Sequence, residues 1–334
     1  VDFTRDALGP KDILIEIDYS GICHSDIHSA LNEHAAPGSK PLFPIIPGHE
    51  MAGHVVRAGS EVKKFAVGDL AGVGCFVDSC GECRECKRGL EQFCLVRDPV
   101  PNLLKDGRNF RGGYSNRIVV PERNAIKIPA GAELSRVAPL LCAGVTVWSP
   151  IHFSKVKKGD TVGVAGFGGL GHMAVKYLAD LGAKVTVFDI TEEKRDDALR
   201  MGAERYVNMK QPEAAGGLAG SFDFIISTIP SDYRLTDYAK LLKYGAGELA
   251  VVGLPPTASV KILELLAVPH RKIYTSVVGG IGEHQECMDY SVAHGIYPEV
   301  KIIPATPEAL KEAYQNVIDG KVKFRYVIDM KTLK

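Results

Sequence analysis

Four cysteines, Cys80, Cys83, Cys86 and Cys94, fall within fifteen residues of a chain that holds only 8 in 334. Their spacing, C-x-x-C-x-x-C-x7-C, lets four thiolates surround one tetrahedral metal and leave no position open, the pattern of a structural zinc site. A pair of disulfides is the competing chemistry. Adjacent C-x-x-C loops strain such bridges, and nothing else in the chain has the character of a secreted protein. A closed metal site staples a loop, so reaction chemistry must come from the metal-ligand residue types that remain.

Three of these lie in separate segments: Cys23 in Gly21-Ile22-Cys23-His24-Ser25-Asp26-Ile27-His28, His49 in Pro47-Gly48-His49-Glu50, and Cys142 in Leu140-Leu141-Cys142-Ala143-Gly144. A Cys, His and Cys set matches a catalytic zinc with three protein ligands and one open position. Spacing alone leaves other readings open. Cys142 among leucines also reads as a small core residue, and His49 as a turn histidine.

A second chemistry-bearing run is Gly166-Phe167-Gly168-Gly169-Leu170-Gly171, a G-x-G-G-x-G between a strand-like and a helix-like segment. Gly166 allows a tight turn, Gly168 lets the backbone approach a pyrophosphate, and Gly171 permits close helix–strand packing. The helix start presents free N–H groups to the phosphates. Asp189, at the end of the next strand-like run, is placed to accept from both adenosine ribose hydroxyls and to repel a 2′-phosphate, which favours NAD. Lys194 and Arg195 follow, either as cations within reach of a 2′-phosphate or as a solvated helix face.

The elements that must position these residues show two textures. Asp12–Ser20 alternates with period two, and short strand-like runs follow at Met51–Arg57, Asp69–Val73 and Arg117–Val120, separated by Gly, Pro and charged turns. From about residue 155 the texture becomes alternating. Apolar runs at Thr161–Ala165, Lys184–Phe188, Phe222–Ser227 and Glu248–Gly253 are interleaved with helix-like Leu170–Leu181 and Thr191–Met201, the signature of βαβ units and a parallel sheet. Trp148, six residues beyond Cys142, reads as core packing.

A chain of 334 residues suggests two domains. Lys+Arg and Asp+Glu balance at 40 each, so no bulk charge attracts nucleic acid or an anionic membrane. No apolar run approaches the roughly 20 residues of a membrane span, and no signal-peptide pattern is present. The expectation is a cytoplasmic protein with no nucleic-acid or membrane partner. Opening at Val1 rather than Met, the chain is expected to lack a short N-terminal piece.

Gly-His-Glu, the four-cysteine lobe and G-x-G-G-x-G, in that order, resemble the zinc-dependent medium-chain alcohol dehydrogenases. Cys23-His24-Ser25-Asp26, Leu141-Cys142-Ala143-Gly144, Gly171-His172-Met173 and Phe324-Arg325-Tyr326-Val327-Ile328-Asp329 look most like the cinnamyl alcohol dehydrogenase branch. The resemblance spans nearly the whole chain. It implies an α/β protein with a GroES-like β-rich catalytic domain over 1–143, a Rossmann doubly wound coenzyme domain over 144–277, and a return to the catalytic domain over 278–334.

It further implies two zinc ions per chain, a catalytic one on Cys23, His49 and Cys142 and a structural one on Cys80, Cys83, Cys86 and Cys94. Hydride would pass between NAD(P)H and aromatic or aliphatic aldehydes, with a small-molecule alcohol as the other partner. The branch favours NADP where Asp189 favours NAD. A proton relay would run through Ser25, the nicotinamide ribose and His28. Glu50 would either approach the metal transiently or tune its field, and Asp26 would orient the His49 ring. His24 would contact the pyrophosphate, joined by Gly166, Gly168, Gly169, Leu170 and Gly171, with Lys194 nearby. Val252, Leu254 and Val277 would flank the nicotinamide, Pro255-Pro256 shaping their loop. A homodimer paired through the strand around Lys272–Gly280 is expected. The alternatives are a non-catalytic zinc- or dinucleotide-binding module on the same scaffold and a secondary-alcohol or polyol dehydrogenase.

Overall fold

The computed structural model describes residues 2–33, 43–94, 111–255, 257–260, 262–266 and 269–333; Pro256 of the Pro255-Pro256 loop lies outside them. The chain divides into two units, one formed by Val1–Val145 with Gly279–Lys334 and the other by Thr146–Val278. The first unit opens with β1 (Asp12–Ile22), β2 (Met51–Ala58), β3 (Leu70–Val73), β4 (Arg117–Pro121) and β5 (Ile126–Lys127). The second holds β6 (Thr161–Ala165), β7 (Lys184–Asp189), β8 (Arg205–Asn208), β9 (Phe224–Ser227), β10 (Tyr233–Arg234), β11 (Glu248–Val251), β12 (Ala258–Ser259) and β13 (Lys272–Thr275). The chain then re-enters the first unit with β14 (Val300–Pro304) and β15 (Arg325–Asp329).

In the first unit the sheet runs β14-β15-β1-β2-β3-β5, and β4 also pairs with β1. β1 is its hub. The period-two pattern turns Ile13, Ile15 and Ile17 inward, each at most 2% exposed, onto Met51, Val55, Ile118, Val120 and Ile328. Each such isoleucine contributes about 1.5–3 kcal/mol of burial. β1 continues two residues past the predicted end because β15 pairs there, Gly21 opposite Val327 and Ile22 opposite Tyr326. That extension carries the chain straight to Cys23.

In the second unit all six strands of the main sheet are parallel, in the order β13-β11-β9-β6-β7-β8. Counted from β6, this is the doubly wound order, with its switch point between β6 and β9. Val162, Val164, Val185, Val187, Ile225 and Ile226 are wholly buried, which is why these strands read as continuous apolar runs. β10 and β12 form a separate two-stranded ribbon. Trp148 is 3% exposed and packs edge-on against Tyr177, with ring centroids 5.2 Å apart.

Two elements differ from their sequence patterns. The helical run predicted over Thr191–Met201 is a 3-10 turn, Glu192–Lys194, followed by the helix Arg195–Arg200. The N–H and Oγ1 of Thr191 both turn back to Asp189, which delays the helix. The strand expected around Lys272–Gly280 ends at Thr275 and forms an edge of its sheet. Among the described residues no single helix is long and apolar enough to cross a membrane.

Candidate active site

The end of β1 delivers Cys23 as the N-cap of the helix His24–Leu31. His49 lies in the loop before β2, and Cys142 lies between the 3-10 turn Ala138–Leu141 and the helix Ala143–Phe153. The ligand atoms of Cys23, His49, Glu50 and Cys142 all lie within 4.8 Å of one another. Cys23 Sγ is 3.9 Å from Cys142 Sγ, and His49 Nε2 is 3.3 Å from Cys142 Sγ. Tetrahedral zinc with ordinary Zn–S and Zn–N bonds needs separations of about 3.8 and 3.6 Å. The donor set fits that ion. A hydrogen bond with Cys142 holds the Cys23 thiol well below its ordinary range, against the opposing effect of burial.

Asp26 ties the two halves of this set together. Its Oδ1 accepts from His49 Nδ1 at 2.7 Å and from the Gly48 N–H at 3.0 Å. Its Oδ2 accepts from the Cys23 N–H at 2.9 Å and from the Tyr114 hydroxyl at 3.3 Å. With Nδ1 engaged, the ring presents Nε2 to the ligand cluster. Burial lowers the basicity of His49, yet the Asp26 carboxylate more than offsets it and holds the ring well above its usual pKa. Burial also pushes the Tyr114 phenol well up, with the Asp26 charge adding to it, so the phenol stays a donor.

Glu50 is wholly buried and pairs with Arg325 from β15, which is 6% exposed. Burial pushes the Glu50 carboxyl up to about 7 against the pull of Arg325. Gly21, beside it, has no room for a side chain: a Cβ there would stand 1.9 Å from Glu50 Oε2. Arg325 and Tyr114 are the residues that sequence reading missed. A lone arginine in the apolar run Phe324–Ile328 was the available signal, since a buried guanidinium requires an acidic partner. A third missed residue is Cys75, just past β3. Its thiol is drawn down to about 5 by Cys142 against the opposing effect of burial, with His284 adding to the pull. It lies 3.8 Å from the Leu141 carbonyl oxygen.

The four-cysteine lobe is also assembled, with Cys80, Cys83, Cys86 and Cys94 within 4.8 Å of one another and no disulfide among the chain's cysteines. Cys80 Sγ stands 3.8 Å from Cys86 Sγ and 3.6 Å from Cys94 Sγ, again tetrahedral spacings for zinc. The N–H groups of Glu82 and Cys83 point at Cys80 Sγ at 3.4 and 3.3 Å, and that of Cys86 at Cys83 Sγ at 3.5 Å. Such donors favour thiolates.

In the second unit the glycine motif follows β6. Gly166 has φ +87°, its carbonyl accepts from Thr228 Oγ1 at 2.9 Å, and a Cβ on Gly171 would meet the Gly166 oxygen at 2.0 Å. A Cβ on Gly168 would meet nothing within 4 Å, so the backbone there is open to an approaching ligand. Gly169 and Leu170 complete the turn, and the helix Gly171–Asp180 begins behind it. Asp189 closes β7, Val252 and Leu254 follow β11, and Val277 follows β13, so all lie at the carboxyl ends of the strands. Val252 is 5% exposed, whereas Leu254 and Val277 are 53% and 57% exposed. Asp189 already accepts four hydrogen bonds: Oδ2 from Phe167 N–H at 2.6 Å, and Oδ1 from Ile190 N–H, Thr191 N–H and Thr191 Oγ1 at 2.7, 3.0 and 2.9 Å. Arg195 is committed to Glu192, to the Tyr206 carbonyl at 3.1 Å and to the Tyr206 ring. Lys194, half-buried beside it, makes no such bond among the described residues.

Ser25 and His28 lie on the helix that Cys23 caps. The His28 ring stacks on His24, with centroids 4.6 Å apart, and its Nδ1 pairs with Glu33.

Residues 9–130 match the family described as alcohol dehydrogenase GroES-like domain, and residues 169–292 the family described as zinc-binding dehydrogenase. NADP-dependent alcohol dehydrogenase C 1 of Mycolicibacterium smegmatis is 44% identical over 99% of this chain and 94% of its own length. The aldehyde reductase YahK of Escherichia coli is 42% identical over 100% of the chain and 95% of its own. Among solved structures, CAD from Helicobacter pylori complexed with NADP(H) superposes with TM-score 0.89 at 49% identity, covering 98% of this chain and 93% of that one. A cinnamyl alcohol dehydrogenase from Sorghum bicolor gives TM-score 0.91 at 32% identity, covering 99% and 94%.

Proposed function

Because the chain belongs to the zinc-binding alcohol dehydrogenase family, an enzyme family of alcohol and aldehyde oxidoreduction, we propose that it reduces aldehydes to primary alcohols with NADPH at a zinc held by Cys23, His49 and Cys142. The observation that carries this reading is the convergence of those three ligand atoms at tetrahedral spacing. Bound zinc supplies a Lewis acid for the substrate oxygen, and the bound nicotinamide coenzyme supplies or accepts the hydride.

The chain's own residues supply the rest. Asp26 fixes the His49 tautomer and ring angle. Arg325 holds Glu50 beside the ligands through Oε1, and Glu50 would serve as the carboxylate that tunes the field there. Ser25 accepts or gives the substrate proton, and His28 carries it toward water. In the second unit Gly166, Gly168, Gly169, Leu170 and Gly171 receive the pyrophosphate, and Val252, Leu254 and Val277 bound the nicotinamide. Cys80, Cys83, Cys86 and Cys94 hold a second, structural zinc.

NADPH is chosen over NADH on two grounds. The M. smegmatis relative is named as NADP-dependent, and the H. pylori structure is titled as holding NADP(H). Asp189, the residue that would favour NADH, is already engaged by four protein donors, three of them on Oδ1, while Lys194 makes no side-chain bond or ion pair among the described residues. A homodimer formed through β13 is part of the proposal, supported by that strand's edge position and by exposed Ile273 and Val277 nearby. A cytoplasmic location goes with it.

The test measures zinc per chain together with NADPH and NADH oxidation against cinnamaldehyde, benzaldehyde and short aliphatic aldehydes. Two zincs with turnover are expected. Two zincs with no turnover on any aldehyde or alcohol would return the chain to the binding-module alternative.

A further inference from the structure

Asp26 is 2% exposed and accepts four hydrogen bonds, as many as its two oxygens hold. Three of the donors, the Cys23 N–H, the Gly48 N–H and the His49 ring, belong to the segments that carry metal ligands. The fourth, the Tyr114 hydroxyl, belongs to neither. We propose that Tyr114 is a positioning residue of the catalytic metal centre, acting through Asp26 on His49 and through its backbone on the Gly48–His49 segment. The inference rests on the reading that Cys23, His49 and Cys142 hold zinc.

The contacts of Tyr114 reach that segment from two directions. Its N–H donates to the Pro47 carbonyl at 3.0 Å, and the N–H of Gly113 donates to the Gly48 carbonyl at 2.9 Å. Gly48 has φ +105°, and a Cβ on it would stand 2.7 Å from Tyr114 Cδ1 and 2.8 Å from the Gly113 nitrogen. The tyrosine therefore lies directly against the residue before the ligand, in a place that tolerates only glycine. Meanwhile its hydroxyl reaches over to Asp26 Oδ2 at 3.3 Å. Without that hydroxyl Oδ2 keeps one donor, the Cys23 N–H, so the carboxylate can turn about its Cβ–Cγ bond. Any such turn moves Oδ1, the atom that sets the angle of the His49 ring. The Tyr314 ring, from the helix Pro307–Ile318, stands with its centroid 6.5 Å from that of Tyr114 and tilted to it.

The test is Tyr114→Phe in the full zinc-loaded chain, which deletes the hydroxyl and keeps the ring and backbone bonds. Zinc release to a chromogenic chelator should be biphasic, with the phase absent from Cys142→Ala assigned to the catalytic site. That phase should accelerate about tenfold in Tyr114→Phe, in keeping with what a lost outer-shell partner does to metal affinity. The Cys80–Cys94 phase should not change. The visible absorption of cobalt placed at the catalytic site should shift, and kcat should fall while KM for NADPH stays fixed. Tyr314→Phe, which leaves the Asp26 bond in place, should release zinc as the unsubstituted protein does. An unchanged catalytic phase with an unchanged cobalt spectrum would overturn the proposal. Equal acceleration of both phases would overturn it too, since that is general loosening. If the unsubstituted chain bound zinc at the Cys80–Cys94 lobe alone, the functional reading itself would fall and this inference with it.

Discussion

Arg325 and Glu50, 275 positions apart in the chain, form an ion pair with 6% of the arginine side chain and none of the glutamate exposed. The pair fastens β15 to the residue beside His49. Desolvating two charges is costly, so such a pair matters most when one member is removed and the other stays buried without a counter-charge.

Arg325→Met is therefore expected to destabilise the first unit by about 3–5 kcal/mol. Adding Glu50→Gln should recover most of that loss, because the stranded charge disappears. Urea unfolding of the two variants, followed by circular dichroism, measures both. Equal losses in the single and double variants would mean that packing rather than charge sets the cost.

The two metal sites should separate cleanly by function. Cys142→Ala is expected to lower kcat more than about a hundredfold, beyond what outer-shell changes do, while leaving coenzyme binding in place. Cys83→Ala opens a closed site, so it should lose one zinc and lower the melting temperature. Metal analysis, coenzyme titration and thermal melts read the difference; matched losses of stability in both variants would erase the division.

On the proposed reading, Lys194 should weigh most in coenzyme choice. Lys194→Ala should lower kcat/KM with NADPH roughly tenfold, the worth of one charge-assisted hydrogen bond, and leave NADH nearly unaffected. Asp189→Ser should change preference less than its position suggests, and should loosen the glycine turn by removing the acceptor of the Phe167 N–H. Steady-state kinetics with both coenzymes decides. A large swing toward NADPH in Asp189→Ser would show that the carboxylate governs after all.

The edge strand β13 should govern association. Ile273→Asp puts a charge on its exposed face and is expected to convert a dimer to monomer, seen by light scattering across protein concentration. Identical masses for the variant and the parent would place the interface elsewhere.

What could be read in advance followed from how far apart the cooperating residues are. The four-cysteine lobe was legible because its ligands sit in one local run, where spacing is a geometric statement. The Cys23, His49 and Cys142 set stayed open on spacing, since Cys23 and Cys142 are 119 positions apart and only folding joins them; family resemblance supplied what spacing could not. The glycine motif was legible because each glycine answers a local backbone demand, and those demands appear at Gly166 and Gly171. Asp189 read as an open acceptor because its donors are mostly main-chain N–H groups, which residue types do not reveal. Tyr114 gave no signal at all, since its partner Asp26 lies 88 positions away and neither neighbourhood is periodic.

The first unit is written in two pieces, Val1–Val145 and Gly279–Lys334, with the whole second unit between them. Made from the N-terminus on a ribosome, β1 waits for β15, and Glu50 for its arginine, until Arg325–Asp329 emerge. The parallel-sheet unit meets no such delay, because every strand of its main sheet lies between β6 and β13. The nucleotide-binding half can thus complete itself during translation while the metal-binding half cannot. A nascent chain stalled before β15 should present a protease-resistant dinucleotide domain attached to an open, cleavable first unit.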